Sequence, residues 1–181
     1  MKRSTKRMWI VFTVVTFAVI VAGGITMYRI AQRPVMPLAD IPAYPYEKYQ
    51  MRGASLPIGS VDSAVRTRAE EALTQFASTV ESGYVVADSR LLAGKGGFAW
   101  DAIRSEAGGY LQRAGYSVDR AGQTPESEID FAYILWRRDS KFWRPNSNDR
   151  ILAVALQQPV TPGPIDEQVH IYGYFRLRPV R

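Results

Sequence analysis

Few residues in this chain have the types and spacing that chemistry needs. His170 is the single histidine and there is no cysteine. A Ser–His–acid triad would have to use His170, and no G-x-S-x-G elbow accompanies it. Set among alternating tyrosines, it reads as a residue on a half-exposed sheet face. Transition-metal sites need several nitrogen or sulfur ligands, so no metal is expected, and no cofactor motif is present. Cysteine nucleophiles, disulfides and a lipobox are excluded by the same count. Glu126, Glu128 and Asp130 form one acidic cluster, Asp166 and Glu167 another. Paired carboxylates hydrolyse glycosides, but these lie among Pro125, Pro162 and Pro164 and read as solvated strand ends. Gly94-Lys95-Gly96-Gly97 stands before a helical pattern, where backbone amides can bind anions. It lacks the G-x-x-x-x-G-K-[ST] spacing and reads as a flexible connection. The chain is expected not to be an enzyme.

Three groups of residues suit protein contact better than catalysis. The stretch from Trp136 to Arg150, WRRDSKFWRPNSNDR, holds Phe142, Trp143 and Arg144 in a loop that does not need large aromatics. His170, Tyr172, Tyr174, Arg176 and Arg178 share one side of an alternating strand; amphipathic rings with guanidinium groups are enriched at interfaces. That face is either covered by another part of the chain or open to a partner, through strand addition if the strand is an edge. Tyr44, Tyr46 and Tyr49 lie in a proline-rich stretch. They either pack on the domain or form a docking strip.

The elements that must position these residues begin with an apolar run. Met8 to Tyr28 is 21 residues without a charge. A helix of that length, at about 1.5 Å per residue, spans the roughly 30 Å hydrocarbon core. Four basic residues precede it and two follow closely. The positive-inside bias then predicts an uncleaved signal anchor, with residues 1–7 cytoplasmic and the rest periplasmic. Ala22-Gly23-Gly24 offers a cleaved signal peptide as the alternative. Six of the 23 basic residues lie before residue 34 and no acid does, leaving 17 against 17 acids. The remaining domain has no net positive charge to steer nucleic acid.

Residues 29–59, rich in proline and tyrosine, read as a linker, and 60–181 as one α+β domain. Val65, Ala69, Ala72, Leu73, Phe76 and Val80 mark a first helix with Ser60 or Asp62 as cap. A second runs from about Phe98 to Ala114, with Gly115 closing it. Tyr84 to Ala87 could make a short strand. Ile129 to Arg137 and Val169 to Arg178 alternate, Arg150 to Gln158 is apolar on both faces and reads as a central strand, and the three form a meander. The expected architecture is a transmembrane helix followed by a two-layer sandwich, with about two helices on one face of an antiparallel sheet of three to five strands.

The segments FAWDAIRSEAGGYLQRAGYSV, IDFAYILWRR, RILAVAL and HIYGYFRLRP, between Phe98 and Pro179, resemble conjugal-transfer envelope proteins of the Trb H type. That resemblance implies a noncatalytic component of a type IV secretion or similar machine. The expected role is a single-pass, inner-membrane scaffold or accessory subunit, with the bilayer contacted through residues 8–28. Its other partners would be membrane or envelope proteins, with no nucleic acid and no small-molecule ligand. The alternatives are a domain binding cell-wall polymer or anionic lipid, and an exported hydrolase using Glu126 or Asp166.

Overall fold

The computed structural model describes residues 13–26, 37–44, 53–124, 130–138 and 148–180. The described part of helix α1 covers residues 13–26 and belongs to one compact unit of the chain; every other described element belongs to a second. All of α1 is exposed, including Val14, Phe17, Val19 and Ile20. The Thr26 hydroxyl donates back to the Ala22 carbonyl at 2.8 Å.

The expected membrane anchor is corrected here. An apolar run counts residues, whereas crossing needs them in one continuous helix. The 14 described residues of α1 rise about 21 Å, short of the roughly 30 Å core. Among the described residues no helix is long and apolar enough to cross a membrane. This overturns the signal anchor, the bilayer as a partner, the inner-membrane and periplasmic placement, and the membrane-anchored scaffold role built on them.

The second unit is a six-stranded antiparallel sheet in the order β1-β2-β6-β5-β4-β3. Its strands are β1 (Gly53–Leu56), β2 (Tyr84–Gly96), β3 (Ser117–Gln123), β4 (Phe131–Arg137), β5 (Arg150–Leu156) and β6 (Val169–Pro179). The sheet thus exceeds the expected three to five strands. The added strand is β1, which lies within the stretch read as linker, and β2 runs 13 residues where only four were expected. Gly94, Lys95 and Gly96 sit inside it, opposite Ser55, Ala54 and Gly53 of β1. Gly94 and Lys95 also face His170 and Val169 of β6. These residues are ladder members between two strands, neither the expected flexible connection nor an anion-binding loop. Strand β6 lies between β2 and β5, so it offers no free edge for strand addition.

Helix α2 (Ser63–Thr79) starts where the Asp62 carboxylate accepts from the Ala64 and Val65 amides at 3.0 and 3.1 Å. It buries Ala69, Leu73 and Ala77, four residues apart, against Leu135, Leu152, Phe175 and Leu177. Helix α3 (Trp100–Arg113) buries Ala102, Ile103, Ala107 and Leu111. It ends in a Schellman motif: Gly115 takes φ 88°, its amide bonds Gln112 O at 2.9 Å, and the Tyr116 amide bonds Leu111 O at 3.0 Å.

The two helices lie on opposite faces of the sheet, and the expected two-layer sandwich is corrected to three layers. Strands β4, β5 and β6 are apolar on both sides. Leu135, Leu152 and Phe175 face α2, while Trp136, Ile151, Tyr172 and Tyr174 belong to the α3 side. A sheet apolar on both faces needs cover on both.

Candidate functional site

Helix α3 covers only part of its face. The rest is covered at one end by residues 38–44, which lie across the sheet as a strap. Leu38, Ile41 and Tyr44 of the strap are buried. Arg90, on β2, donates from Nη1 to the carbonyl oxygens of Leu38, Ala39 and Ile41 at 3.0, 2.9 and 2.6 Å. The Tyr44 amide donates to Tyr172 Oη at 2.7 Å, and Tyr174 Oη donates to the Pro42 carbonyl at 3.3 Å. Tyr44 Oη in turn accepts from the Ala99 amide at 3.0 Å. Its ring stacks on Phe98 at 5.2 Å, and Phe98 stacks on His170 at 4.9 Å. Burial pushes the Tyr172 phenol up to about 12 and raises that of Tyr174 as well. Burial lowers the His170 pKa. Its ring lies flat on Phe98, and no group of three His, Cys, Asp or Glu able to hold a metal occurs among the described residues.

The other end of the same face is open. Between α3 and the β3–β4 pair lies a cleft of about 540 Å³. Arg104, Gly108 and Gln112 line its helix side; Tyr116, Val118 and Trp136 line the sheet side. Two features of the backbone place these groups. The Schellman turn delivers Tyr116 to the start of β3. Antiparallel register then sets Val118 opposite Trp136, and Ser117 opposite Arg137. One step further out, Tyr116 comes opposite Arg138, so Tyr116, Val118, Trp136 and Arg138 form a patch on one side of the sheet. Gly108 faces the indole: a Cβ there would lie 4.0 Å from Trp136 Nε1.

The donors in this patch are incompletely used. Trp136 is 1% exposed and Tyr116 3% exposed. Among the described residues, Trp136 Nε1, Tyr116 Oη and the buried Arg138 Nε have no hydrogen-bond partner. Arg138 stacks over the Tyr116 ring with Cζ 5.7 Å from its centre. It lies beside the phenol oxygen short of hydrogen-bond geometry, and a guanidinium has no acceptor to offer the phenol's proton. Burial is the main influence raising the Tyr116 pKa. Asp149 pushes the same way, and Arg138 and Arg176 oppose it. The phenol therefore keeps its proton across neutral pH and remains a donor.

The two exposed sides of β3 are treated differently. Its outer edge is blunted by a bulge between Val118 and Arg120 and by charge pairs. Asp119 pairs with Arg137 at 3.2 Å, and Arg120 pairs with Glu81. The cleft above it has no such cover.

The residues singled out for partner contact fall in separate places. Tyr44, Tyr172 and Tyr174 meet under the strap. Arg176 is buried near Tyr116, and Arg178 is exposed with Nε 3.8 Å from Asp149. Phe142, Trp143, Arg144, Tyr46 and Tyr49 lie outside the described residues, as do Glu126 and Glu128. Asp130 is described, and its carbonyl accepts from the Gln157 amide at 2.9 Å; Asp166 and Glu167 sit in an exposed turn. Sequence reasoning anticipated no small-molecule site and passed over Trp136, Tyr116, Arg138 and the strap-holding Arg90. The available signal for the cleft was the Gly108-Gly109 pair inside an otherwise regular helix, which leaves room for something to approach.

No protein-family model, curated protein or solved structure matches this chain. The resemblance to conjugal-transfer envelope proteins therefore stands on the quoted segments alone.

Proposed function

We propose that the sheet domain is a noncatalytic binding module that takes its ligand in the cleft between α3 and the β3–β4 pair. The observation that carries this is the Trp136 indole N–H. It is buried, faces a glycine, and has no acceptor among the described residues. A buried donor without a partner costs about 1–3 kcal/mol. A ligand acceptor arriving there would recover that cost. The cleft volume falls within the range of small-molecule sites, about 300–1,000 Å³.

Two points favour binding over catalysis. The only phenol in the cleft has its pKa raised, which makes it a poor base at neutral pH. The one histidine is stacked under Phe98 at the strap end, away from the cleft residues. A direct test is a titration of the ¹⁵N-labelled full chain with a fragment library, followed at the Trp136 indole resonance assigned through Trp136→Phe. Binders that move this resonance, and lose affinity about tenfold in Trp136→Phe, are expected. A library whose binders leave it unmoved would remove the proposal.

A further inference from the structure

Taking the cleft as the binding site, we infer that the strap is a latch on it: Tyr44 positions the start of α3, and with it the helix wall of the cleft, and a proton on His170 releases Tyr44. Three rings carry the connection. Tyr44 of the strap stacks on Phe98 at 5.2 Å, and Phe98 stacks on His170 of β6 at 4.9 Å. The next residue, Ala99, is the N-cap of α3 and makes no side-chain cap bond. Its amide, one of the donors that a helix start leaves unpaired, goes instead to Tyr44 Oη at 3.0 Å. Two residues on, Asp101 already lines the cleft, and Arg104 and Ser105 follow on the same helix. Helix α3 is one element of 14 residues, so a displacement at its start is carried along that wall.

The same stack makes the latch sensitive to protons. Nδ1 of His170 is buried with no partner among the described residues. Protonation turns both ring nitrogens into donors, and Nδ1 meets no acceptor. No facing charge compensates. Strand β2 sets Gly94 opposite His170 and Leu92 one step along the same face; β6 adds Tyr172, the segment before α3 adds Phe98, and the strap adds Tyr44. Lys95 alternates to the other face of β2, Arg90 is bound to the strap carbonyls, and Asp101 lines the cleft. Asp166 and Glu167 are exposed in the turn before β6. Burial alone lowers the His170 pKa. Once Tyr44 leaves, Phe98 loses a stacking partner, water reaches the imidazole, and its affinity for a proton returns toward the ordinary value of 6.5. The open form binds the proton better. Falling pH therefore favours opening, by up to about tenfold per pH unit between the closed and open pKa values.

The experiment is amide hydrogen exchange and ¹⁵N imidazole NMR on the full chain, from pH 7.5 to about 4.5. The single histidine makes its titration unambiguous. As His170 gains its proton, the Tyr44 and Ala99 amides are expected to lose protection by about tenfold, while Leu152, Ala153 and Val154 in β5 keep theirs. His170→Gln should abolish the response. Tyr44→Phe keeps the ring stack and removes the acceptor. At pH 7.5 it should cost the Ala99 amide about fivefold in protection and move the Asp101, Arg104 and Trp136 indole resonances. Protection unchanged through the titration, a ring that stays neutral throughout, or equal loss in β5 would each overturn the latch. Asp101, Arg104 and the Trp136 indole unmoved in Tyr44→Phe would overturn its hold on the cleft. The library titration decides the cleft separately: binders at Trp136 with a silent strap remove only the latch, and a responding strap without such binders removes only the cleft.

Discussion

Tyr172 and Tyr116 are both buried on the α3 side of one sheet, and they differ in what their hydroxyls meet. At the strap end, Tyr172 Oη accepts from the Tyr44 amide and Tyr174 Oη donates to Pro42 O. At the cleft end, neither Tyr116 Oη nor Trp136 Nε1 has a partner among the described residues. The same residue types therefore serve two ends. Under the strap, the Tyr172 and Tyr174 hydroxyls are met by the chain's own backbone, although Nδ1 of the neighbouring His170 is buried without a partner. Beneath α3 the donors are buried but unsatisfied, which is the condition a ligand relieves. Location on a sheet face does not distinguish the two; the fate of each hydrogen-bonding group does.

The comparison can be broken at several points. The largest effect is expected from Arg90→Met. One Arg90 nitrogen serves three strap carbonyls, two of them partly buried. Their loss should cost about 2–4 kcal/mol in urea unfolding. Tyr172→Phe comes next: it strands the buried Tyr44 amide and should cost about 1–3 kcal/mol by the same measurement. Gly108→Ala has the opposite sign. Its Cβ meets Trp136 Nε1 at ordinary contact distance, and alanine favours the helix, so a gain of up to about 1 kcal/mol is expected. Tyr116→Phe sharpens the contrast, because it removes a hydroxyl that has no partner. By relieving an unpaired buried group it should raise stability, by about 1 kcal/mol at the lower end of that cost. A loss as large as that of Tyr172→Phe would show that Tyr116 is satisfied and dissolve the distinction.

The smallest effect concerns pH. Burial lowers the His170 pKa in the folded state below its ordinary value of 6.5. Between the folded and unfolded pKa values the unfolded chain binds more protons, so stability falls as pH drops from about 6.5. It levels off once the folded pKa is passed. Aspartates and glutamates facing the ring would blunt this, but its packed neighbour is the neutral Phe98. Urea midpoints between pH 7.5 and 5, compared with His170→Gln, should show a slope that the variant lacks.

Much of the fold was legible where local chemistry decides it. Asp62, one of two cap candidates, capped α2, Gly115 closed α3, alternation located β4 and β6, and a run apolar on both faces located β5. Reading failed where the deciding partner was distant in sequence. Gly94-Lys95-Gly96 has loop composition, and only the strands on either side make it a strand. Tyrosine, histidine and arginine on β6 read as a wet surface, so the need for a second covering layer was missed; the strap and α3 supply it. The apolar run from Met8 suggested a spanning helix, and the described helix covers residues 13–26 of it. The site was harder still. Trp136 was legible as a strand residue, but its unpaired N–H depends on Gly108 across the cleft, and no local pattern carries that.

The position of β6 has a consequence for the order in which the molecule can be made. It is the last of the six strands in sequence and sits in the interior of the sheet, bridging β2 and β5. During synthesis, β1–β2 and β3–β4–β5 can form only as two separate ribbons, each with a raw edge. The strap also waits, because Tyr44 bonds to Tyr172, 128 residues onward. Arrival of one strand then joins both ribbons and seats the strap in a single event. Such late, long-range closure is slow and exposes unpaired edges meanwhile. Losing β6 would divide the sheet in two, where losing β1 would only trim it.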